Sequence, residues 1–523
     1  MFKLSQSRLI FIISILFVLF YNFSFFKNVL KVYPLDGLNI LFIISLAAVL
    51  ALVINIILTL FSSKYTTKPI LILLLIVSSF TAYFMDTYNV VIDDGMIRNT
   101  LQTDFKESSD LISLKLFLYF IFLGLIPAIF VYKIKIEYKS FFSELKAKLI
   151  SIFSSLILIA LIIFSFSKYY TSFFREHKVL RYYTNPTYWL YSLGYYIYKA
   201  ANSGPIVVKK IGLDAKVIRD AKEPHKLVIL VVGEAARAKN FSLNGYKKNT
   251  NPLLSKRDDI INFSNFYSCG TSTAVSVPCM FSPLTRKEYS HKKFLRLENA
   301  MDVVAHTKDV AILWVDNNSD PKGVMDRLGY IDYKNSKCKG ECRDIGMLEY
   351  VPKFIKEHNN SDILIVLHQM GNHGPAYYKR YPKEFEKFSP VCKTNQLEKC
   401  TKEQISNAYD NALLYTDYFL NSTIELLKKY PNYQRAMFYL SDHGESLGEN
   451  GVYLHGMPYF IAPDAQKHVG AIMWFSKNFK GVNIKKLKAN KDKHYSQDNL
   501  FSTILGLLDI QTKVYKKDMD ITK

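Results

Sequence analysis

Cysteine is absent from the first half of this 523-residue chain, and all six cysteines lie between Cys269 and Cys400. The first apolar run is followed by no small-residue cleavage site. Lys27 and Lys31 stand there instead, so the run is expected to stay as a span rather than leave as a leader. The formal net charge of +22 asks for a polyanionic partner. Zinc-finger spacing, an RNA-binding aromatic signature and a basic helix are all missing, which argues against nucleic acid. Anionic lipid headgroups and phosphorylated glycolipids remain. No internal repeat is present, nor any low-complexity tract beyond the apolar runs.

The length calls for at least two units, and the composition divides accordingly. The first third is dominated by Leu, Ile, Phe and Ser; the rest has the mixed charge of a globular domain. Apolar runs near 9–26, 40–61, 70–85, 116–132 and 149–167 approach the roughly 20 helical residues that cross a core of about 30 Å. The loop from Lys133 to Lys148 carries Lys133, Lys135, Lys139, Lys146 and Lys148. Lys64 and Lys68, and Lys3 with Arg8, make two further basic segments. These belong in the cytoplasm. The acidic 86–115 loop and everything after the fifth span then lie outside. Cysteine placement agrees: paired thiols in an oxidising compartment read as disulfides, with a four-cysteine zinc site or buried free thiols as the alternative. Six cysteines permit many connectivities, of which nearest-neighbour pairing (Cys269–Cys279, Cys338–Cys342, Cys392–Cys400) is the simplest.

Three regions are therefore expected: a membrane domain over 1–167, a bridge over 168–215, and a soluble domain over 216–523. The bridge is crowded with aromatics, among them Tyr169, Tyr170, Tyr182, Tyr183, Trp189, Tyr195 and Tyr196, interleaved with Lys and Arg. Such rings prefer the headgroup zone, so partly helical chain lying on the membrane is expected. A buried helix of the soluble domain is the competing reading.

From about 216, short apolar runs alternate with helical stretches such as Asn411 to Lys429. Lys226 to Gly233, Val310 to Val315, Asp362 to Leu367 and Ala436 to Leu440 read as buried strands. This alternation predicts an α/β fold, a mostly parallel sheet flanked by helices, with its site beyond the carboxyl ends of the strands. Those ends carry Glu234, then His368 to His373, then Asp442-His443 with His455 following. Carboxylates and imidazoles gathered at one sheet edge suit a zinc ion. A hydroxyl cluster, Thr271, Ser272, Thr273 and Ser276, opens an apolar helical stretch. It could serve as an N-cap. Equally, one hydroxyl could be a nucleophile activated by a metal at a helix N-terminus. The residues alone do not separate the four.

Four segments resemble the lipid A phosphoethanolamine transferases, the family that includes the mobile colistin-resistance enzymes, on an alkaline-phosphatase-like fold. Val231 to Tyr246 is similar to the family's first metal motif, with Ala235 where a threonine is often found. Ser268 to Ser282 follows its nucleophile segment, and His368 to Tyr377 and Ser441 to His455 its remaining site motifs. The resemblance implies Thr273 as nucleophile and Glu234, Asp442, His443 and Thr273 as zinc ligands. His373 and His455 would bind substrate phosphate or a second zinc; Ser319 and Lys322 would lie near the phosphoethanolamine group. Asn99, Thr103 and Glu107, spaced to share a helix face, would meet the headgroup. The implied reaction moves phosphoethanolamine from phosphatidylethanolamine to lipid A or another envelope acceptor through a phospho-threonine. Its implied setting is the bacterial inner membrane, with the catalytic domain in the periplasm, and its effect is a lower affinity of the envelope for cationic peptides. A phosphoglycerol transferase or a phosphatase- or sulfatase-like hydrolase is the alternative. The sulfatase version is disfavoured because Val277-Pro278-Cys279 lacks the arginine of a Cys/Ser-x-Pro-x-Arg motif. The loop between Cys338 and Cys342 is shorter than usual for the family, and the sequence diverges around Cys392 to Cys400.

Overall fold

The structure is a computed structural model that describes residues 3–102, 111–175, 177–201, 206–220, 222–336 and 341–523. Two compact units are present: Met1–Ile97 with Ile112–Ala200, and Arg98–Leu111 with Ala201–Lys523.

The first unit is helical. Gly37–Phe61, Thr67–Tyr88, Leu114–Lys133 and Phe141–Ser165 are each long and apolar enough to cross a membrane. The run expected at 9–26 is instead two helices, Gln6–Phe20 and Phe23–Val32, bent by 57°. The bend falls where Asn22 turns its amide to the carbonyls of Phe17 and Asn185. Polar side chains that satisfy freed backbone groups let a helix break at membrane depth. The last helix starts at Phe141 rather than 149, because Glu144 in its first turn accepts from the Lys139 amide. A hydropathy window, which sees only Lys146 and Lys148, misses that start.

The basic segments meet at one end of this bundle. Lys3–Ser5 pairs in parallel with Lys135–Glu137. Lys68 donates to the Tyr132 carbonyl and Tyr138 to that of Lys64. All three segments assigned to one side by their charge thus lie together. Within 168–215, Tyr170, Phe173, Tyr183 and Trp189 are buried, and the Trp189 indole donates to Ser78 and Asn185. Tyr191, Tyr195 and Tyr198, on helix Thr187–Ala201, stay exposed.

The second unit is built on a seven-stranded sheet. Its strands are β1 (Lys226–Gly233), β2 (Ile260–Phe263), β3 (Val310–Asp316), β4 (Ile331–Asp332), β5 (Asp362–His368), β6 (Gln434–Ser441) and β7 (Ala471–Phe475). The order is β2-β7-β6-β1-β5-β3-β4. The run from β6 to β4 is parallel; β7 is antiparallel to both β6 and β2. The four strands legible as apolar runs are the four central ones. β1 and β5 are buried throughout, as strands covered on both faces must be. One core face gathers Val228, Leu230, Val232, Leu364, Val366, Phe438 and Leu440 with Phe263, Phe281, Trp314 and Met473. The expected helix from Asn411 is a longer one, Lys402–Lys428, opened by a Thr401/Gln404 capping box.

Candidate metal centre

Strand register brings the ligand candidates together. Ser441 of β6 pairs with Gly233 of β1, so the next residue of each strand, Asp442 and Glu234, emerges on the same edge. The Asp442 amide donates to the Gly233 carbonyl at 2.9 Å. Beyond Glu234 the chain turns through Ala235, which has φ +54, a conformation rare for a residue with a side chain. Three contacts hold it there. Its amide donates to Asp442 Oδ1 at 3.1 Å, its carbonyl accepts from Tyr409 at 2.6 Å, and the Ala236 amide donates to Ser441 Oγ at 2.8 Å.

Glu234, Asp442 and His443 are all 0% exposed. His443 Nδ1 lies 2.9 Å from the Gly444 carbonyl. A carbonyl only accepts, so Nδ1 carries the proton and Nε2 presents a lone pair. That lone pair faces Asp442 Oδ2 at 3.3 Å, Glu234 Oε1 at 3.4 Å and Thr273 Oγ1 at 3.3 Å. Glu234 Oε1 and Asp442 Oδ2 are buried with no hydrogen-bond partner. Buried acceptors converging with no donor among them cost several kcal/mol unless a cation sits between them. The donor set, two carboxylates and a neutral imidazole beside a hydroxyl, fits a zinc ion. Electrostatics agree. Burial pushes the His443 imidazole down to about 3, keeping it neutral. Burial, and then the adjacent Glu234 charge, push Asp442 well above the usual carboxylate range, as paired carboxylates without a cation must behave.

The four hydroxyls that sequence left equivalent differ in surroundings. Thr271 donates to the Met457 carbonyl at 2.6 Å, and Ser276 Oγ accepts from the Gly270 amide at 3.0 Å. Ser272 is the N-cap of helix Thr273–Met280 but makes no side-chain capping bond. Thr273, the helix's first residue, donates to Glu234 Oε2 at 2.9 Å and lies against His443. A Cys269–Cys279 disulfide closes this segment, and Cys392–Cys400 forms a second. Cys338 lies outside the described residues.

The histidines cluster beside the centre: His455 is 4.2 Å from His443 and 5.6 Å from His373, ring centre to ring centre. Glu234, His373 and His455 form a second donor group. Ser319 bonds locally to Asn318, and Lys322 pairs with Asp320 at 3.6 Å. Lys322 lines an open cleft of about 310 Å³ with His291, Asp320, Asp326 and Tyr330. Asn99 lies on helix Asp94–Gln102. Thr103 and Glu107 fall outside the described residues.

Sequence reasoning missed three supporting side chains. Asn318 donates to Glu234 Oε2 and to the Gln369 carbonyl, both at 2.9 Å. Gln497 accepts from the Cys269 amide at 2.7 Å and donates to the carbonyls of Ser441 and Asp442, tying the Thr273 segment to the ligand strand. Asp344 accepts from Asn317, Gln369 and the amides of Met370 and Gly371. Asn318 was visible beside Ser319; the other two carry no local signal.

A buried group of two carboxylates and an imidazole past the carboxyl edge of a mostly parallel sheet, with a hydroxyl at a helix N-terminus set against it, defines the class. This is an enzyme domain of the alkaline phosphatase and sulfatase superfamily, and a family model described as Sulfatase matches residues 226–510. A second, described as phosphoethanolamine transferase EptA/EptB, matches residues 50–201. Two curated relatives are similar over nearly the whole chain. Phosphatidylethanolamine transferase Mcr-1 of Escherichia coli is 44% identical, covering 94% of this chain and 92% of that protein. Phosphoethanolamine transferase EptA of Escherichia coli K12 is 41% identical, covering 96% and 93%. The solved integral membrane lipooligosaccharide phosphoethanolamine transferase A of Neisseria meningitidis is 35% identical. It superposes with a TM-score of 0.96, covering 100% of this chain and 99% of that one. The chain belongs to the phosphoethanolamine transferase family.

Proposed function

We propose that this protein transfers phosphoethanolamine from phosphatidylethanolamine to a phosphate of lipid A, or of a related envelope glycolipid, through a covalent phospho-threonine on Thr273. One observation carries the reading: of four neighbouring hydroxyls, Thr273 alone reaches the candidate ligands, donating to Glu234 Oε2 at 2.9 Å and lying 3.3 Å from His443 Nε2. Glu234, Asp442 and His443, with Thr273, would hold one zinc ion, and the His373 and His455 group offers a place for a second. Bound there, a divalent ion lowers the hydroxyl pKa and balances developing charge.

Thr273 Oγ forms a bond to the donor phosphorus as the bond to the glycerol oxygen breaks, and diacylglycerol leaves with a proton. An acceptor phosphate oxygen then bonds to that phosphorus, and Thr273 Oγ departs and regains a proton. His373 and His455 contact the phosphoryl oxygens and handle these protons. Lys322 and Ser319 contact the transferred group, while Asn99, Thr103 and Glu107 receive the headgroup, Glu107 answering its ammonium. The apolar helices anchor the chain in the bacterial inner membrane, their basic end in the cytoplasm and the catalytic domain in the periplasm. The exposed aromatics of helix Thr187–Ala201 rest at the lipid interface. Membrane tethering suits a donor and an acceptor that are both lipids.

The test supplies membranes with headgroup-labelled phosphatidylethanolamine or phosphatidylglycerol. Label should move from phosphatidylethanolamine to lipid A, and Thr273→Ala should stop it. Consumption of phosphatidylglycerol would make the enzyme a phosphoglycerol transferase. Label released to water would make it a hydrolase.

A further inference from the structure

Glu445 stands two residues past His443 with its side chain fully buried, and nothing above uses it. Its oxygens are both engaged: Oε1 accepts from the Tyr377 hydroxyl at 2.6 Å, and Oε2 lies 2.7 Å from His455 Nδ1. The neighbouring loop leaves room for this. A Cβ on Gly374 would come within 2.7 Å of both Glu445 Oε1 and the Tyr377 hydroxyl. The backbone of His455 is gripped separately. Leu454 and Gly456, on either side, have φ +62 and +86. The Gly456 amide donates to the Thr271 carbonyl at 2.7 Å, and Thr271 Oγ1 donates to Met457. The ring thus answers to Glu445 and the main chain to the Thr273 segment.

A fully buried acidic side chain is an expensive way to fill space, since burying a polar group costs free energy that an apolar group would not. What it alone supplies is an acceptor with no donor of its own. Opposite such a group, Nδ1 must carry the proton, and Nε2 becomes the atom the ring can offer elsewhere.

We infer that Glu445, braced by Tyr377, is a positioning residue that holds His455 in its Nδ1-protonated form, so that Nε2 works on the transferred phosphoryl group. The inference rests on the role given to His455 above. A glutamine at 445 keeps the size but can turn its amide either way, so it no longer dictates the tautomer.

The full-length enzyme in phospholipid nanodiscs, with labelled phosphatidylethanolamine, decides the matter through Glu445→Gln, His455→Ala, the double variant and Tyr377→Phe. Glu445→Gln should lower kcat about 10- to 100-fold with KM changed less than about threefold. Zinc content and thermal unfolding midpoint should hold at wild-type values. On the His455→Ala background the same change should cost less than about twofold, because its route is gone. Tyr377→Phe should give a smaller kcat loss that also disappears without His455. Equal losses with and without His455 would overturn the inference, as would an unchanged kcat or loss of zinc in Glu445→Gln. If that variant unfolds, Tyr377→Phe alone decides: a loss that persists without His455 overturns it. A wild-type enzyme that leaves phosphatidylethanolamine untouched would refute the transferase reading, and shows before any variant is compared.

Discussion

Gly371 offers the sharpest test of the proposed metal centre, because it lies against Glu234, a proposed ligand, without being one. A Cβ built there would meet the Glu234 carbonyl oxygen at 2.8 Å, its amide nitrogen at 3.0 Å and its Cβ at 3.1 Å. Two of these are backbone atoms, which cannot rotate away. Gly371→Ala should therefore carry about 1–2 kcal/mol of left-handed strain and about 1–3 kcal/mol of overpacking. Relief of that overlap moves Glu234. Gly245 is the control: its φ is +86, and an added methyl there would meet nothing within 4 Å. Strain alone would make Gly245→Ala the worse variant, because the φ of +48 at Gly371 lies nearer the region other residues can use. Contact with Glu234 should reverse that order. Gly371→Ala should unfold at the lower temperature, about 2–4 °C for each kcal/mol of difference, and lose about 10- to 100-fold in zinc affinity. Gly245→Ala should bind zinc normally. Purified variants would be compared by chelator competition and thermal unfolding. Gly371→Ala with wild-type zinc affinity and the higher midpoint of the two would refute the placement of Glu234.

Thr273→Ser should retain part of the transfer that Thr273→Ala abolishes, measured as labelled phosphoethanolamine on the protein; full labelling of the alanine variant would exclude Thr273 as nucleophile. Cys279→Ser should cost about 2–3 kcal/mol by opening the Cys269–Cys279 loop, and should lower kcat because Thr273 lies inside it. Gln497→Ala leaves three backbone groups without their partner and should destabilise by about 2–4 kcal/mol, read by denaturant unfolding. Burial pushes Asp417 up to about 7 although the amides of Leu253 and Leu254 donate to it. The folded chain then keeps a proton that the unfolded chain releases near its ordinary value. Stability from this group is full at low pH and is lost as pH rises to about 7. Asp417→Asn should flatten that slope in unfolding curves taken across the window.

What could be read from sequence alone divides along physical lines. The four central strands were legible because β1 and β5 are apolar at nearly every position, the mark of a strand covered on both faces. β2, β4 and β7 were not: two are four residues or shorter, and β7 runs antiparallel at a place no local pattern encodes. The bend at Asn22 escaped because hydropathy averages over the residue that causes it. Glu234, Asp442 and His443 stood out as titratable groups at strand ends, where parallel sheets put their sites. Thr273 could not be separated from Thr271, Ser272 and Ser276 by any property of the segment. Only three-dimensional surroundings, a carbonyl for one hydroxyl, an amide for another and Glu234 for the third, tell them apart.

Gln497 and Glu445 show why such supports stay hidden. Each acts through atoms that every residue possesses, or through a partner's proton, and so leaves no spacing to detect. Gln497 reads main-chain groups of Cys269, Ser441 and Asp442, segments far apart in the chain. Glu445 stands in the same short run as Asp442 and His443, where a third polar residue looks like another ligand. Its carboxylate instead turns to Tyr377 and His455. The order of residues in a motif therefore does not give their order of action. In the run from Ser441 to Glu445, neighbours in sequence serve a backbone, the proposed cation and a histidine in turn. The β6–β1 register decides which does which, by fixing where each side chain leaves the sheet.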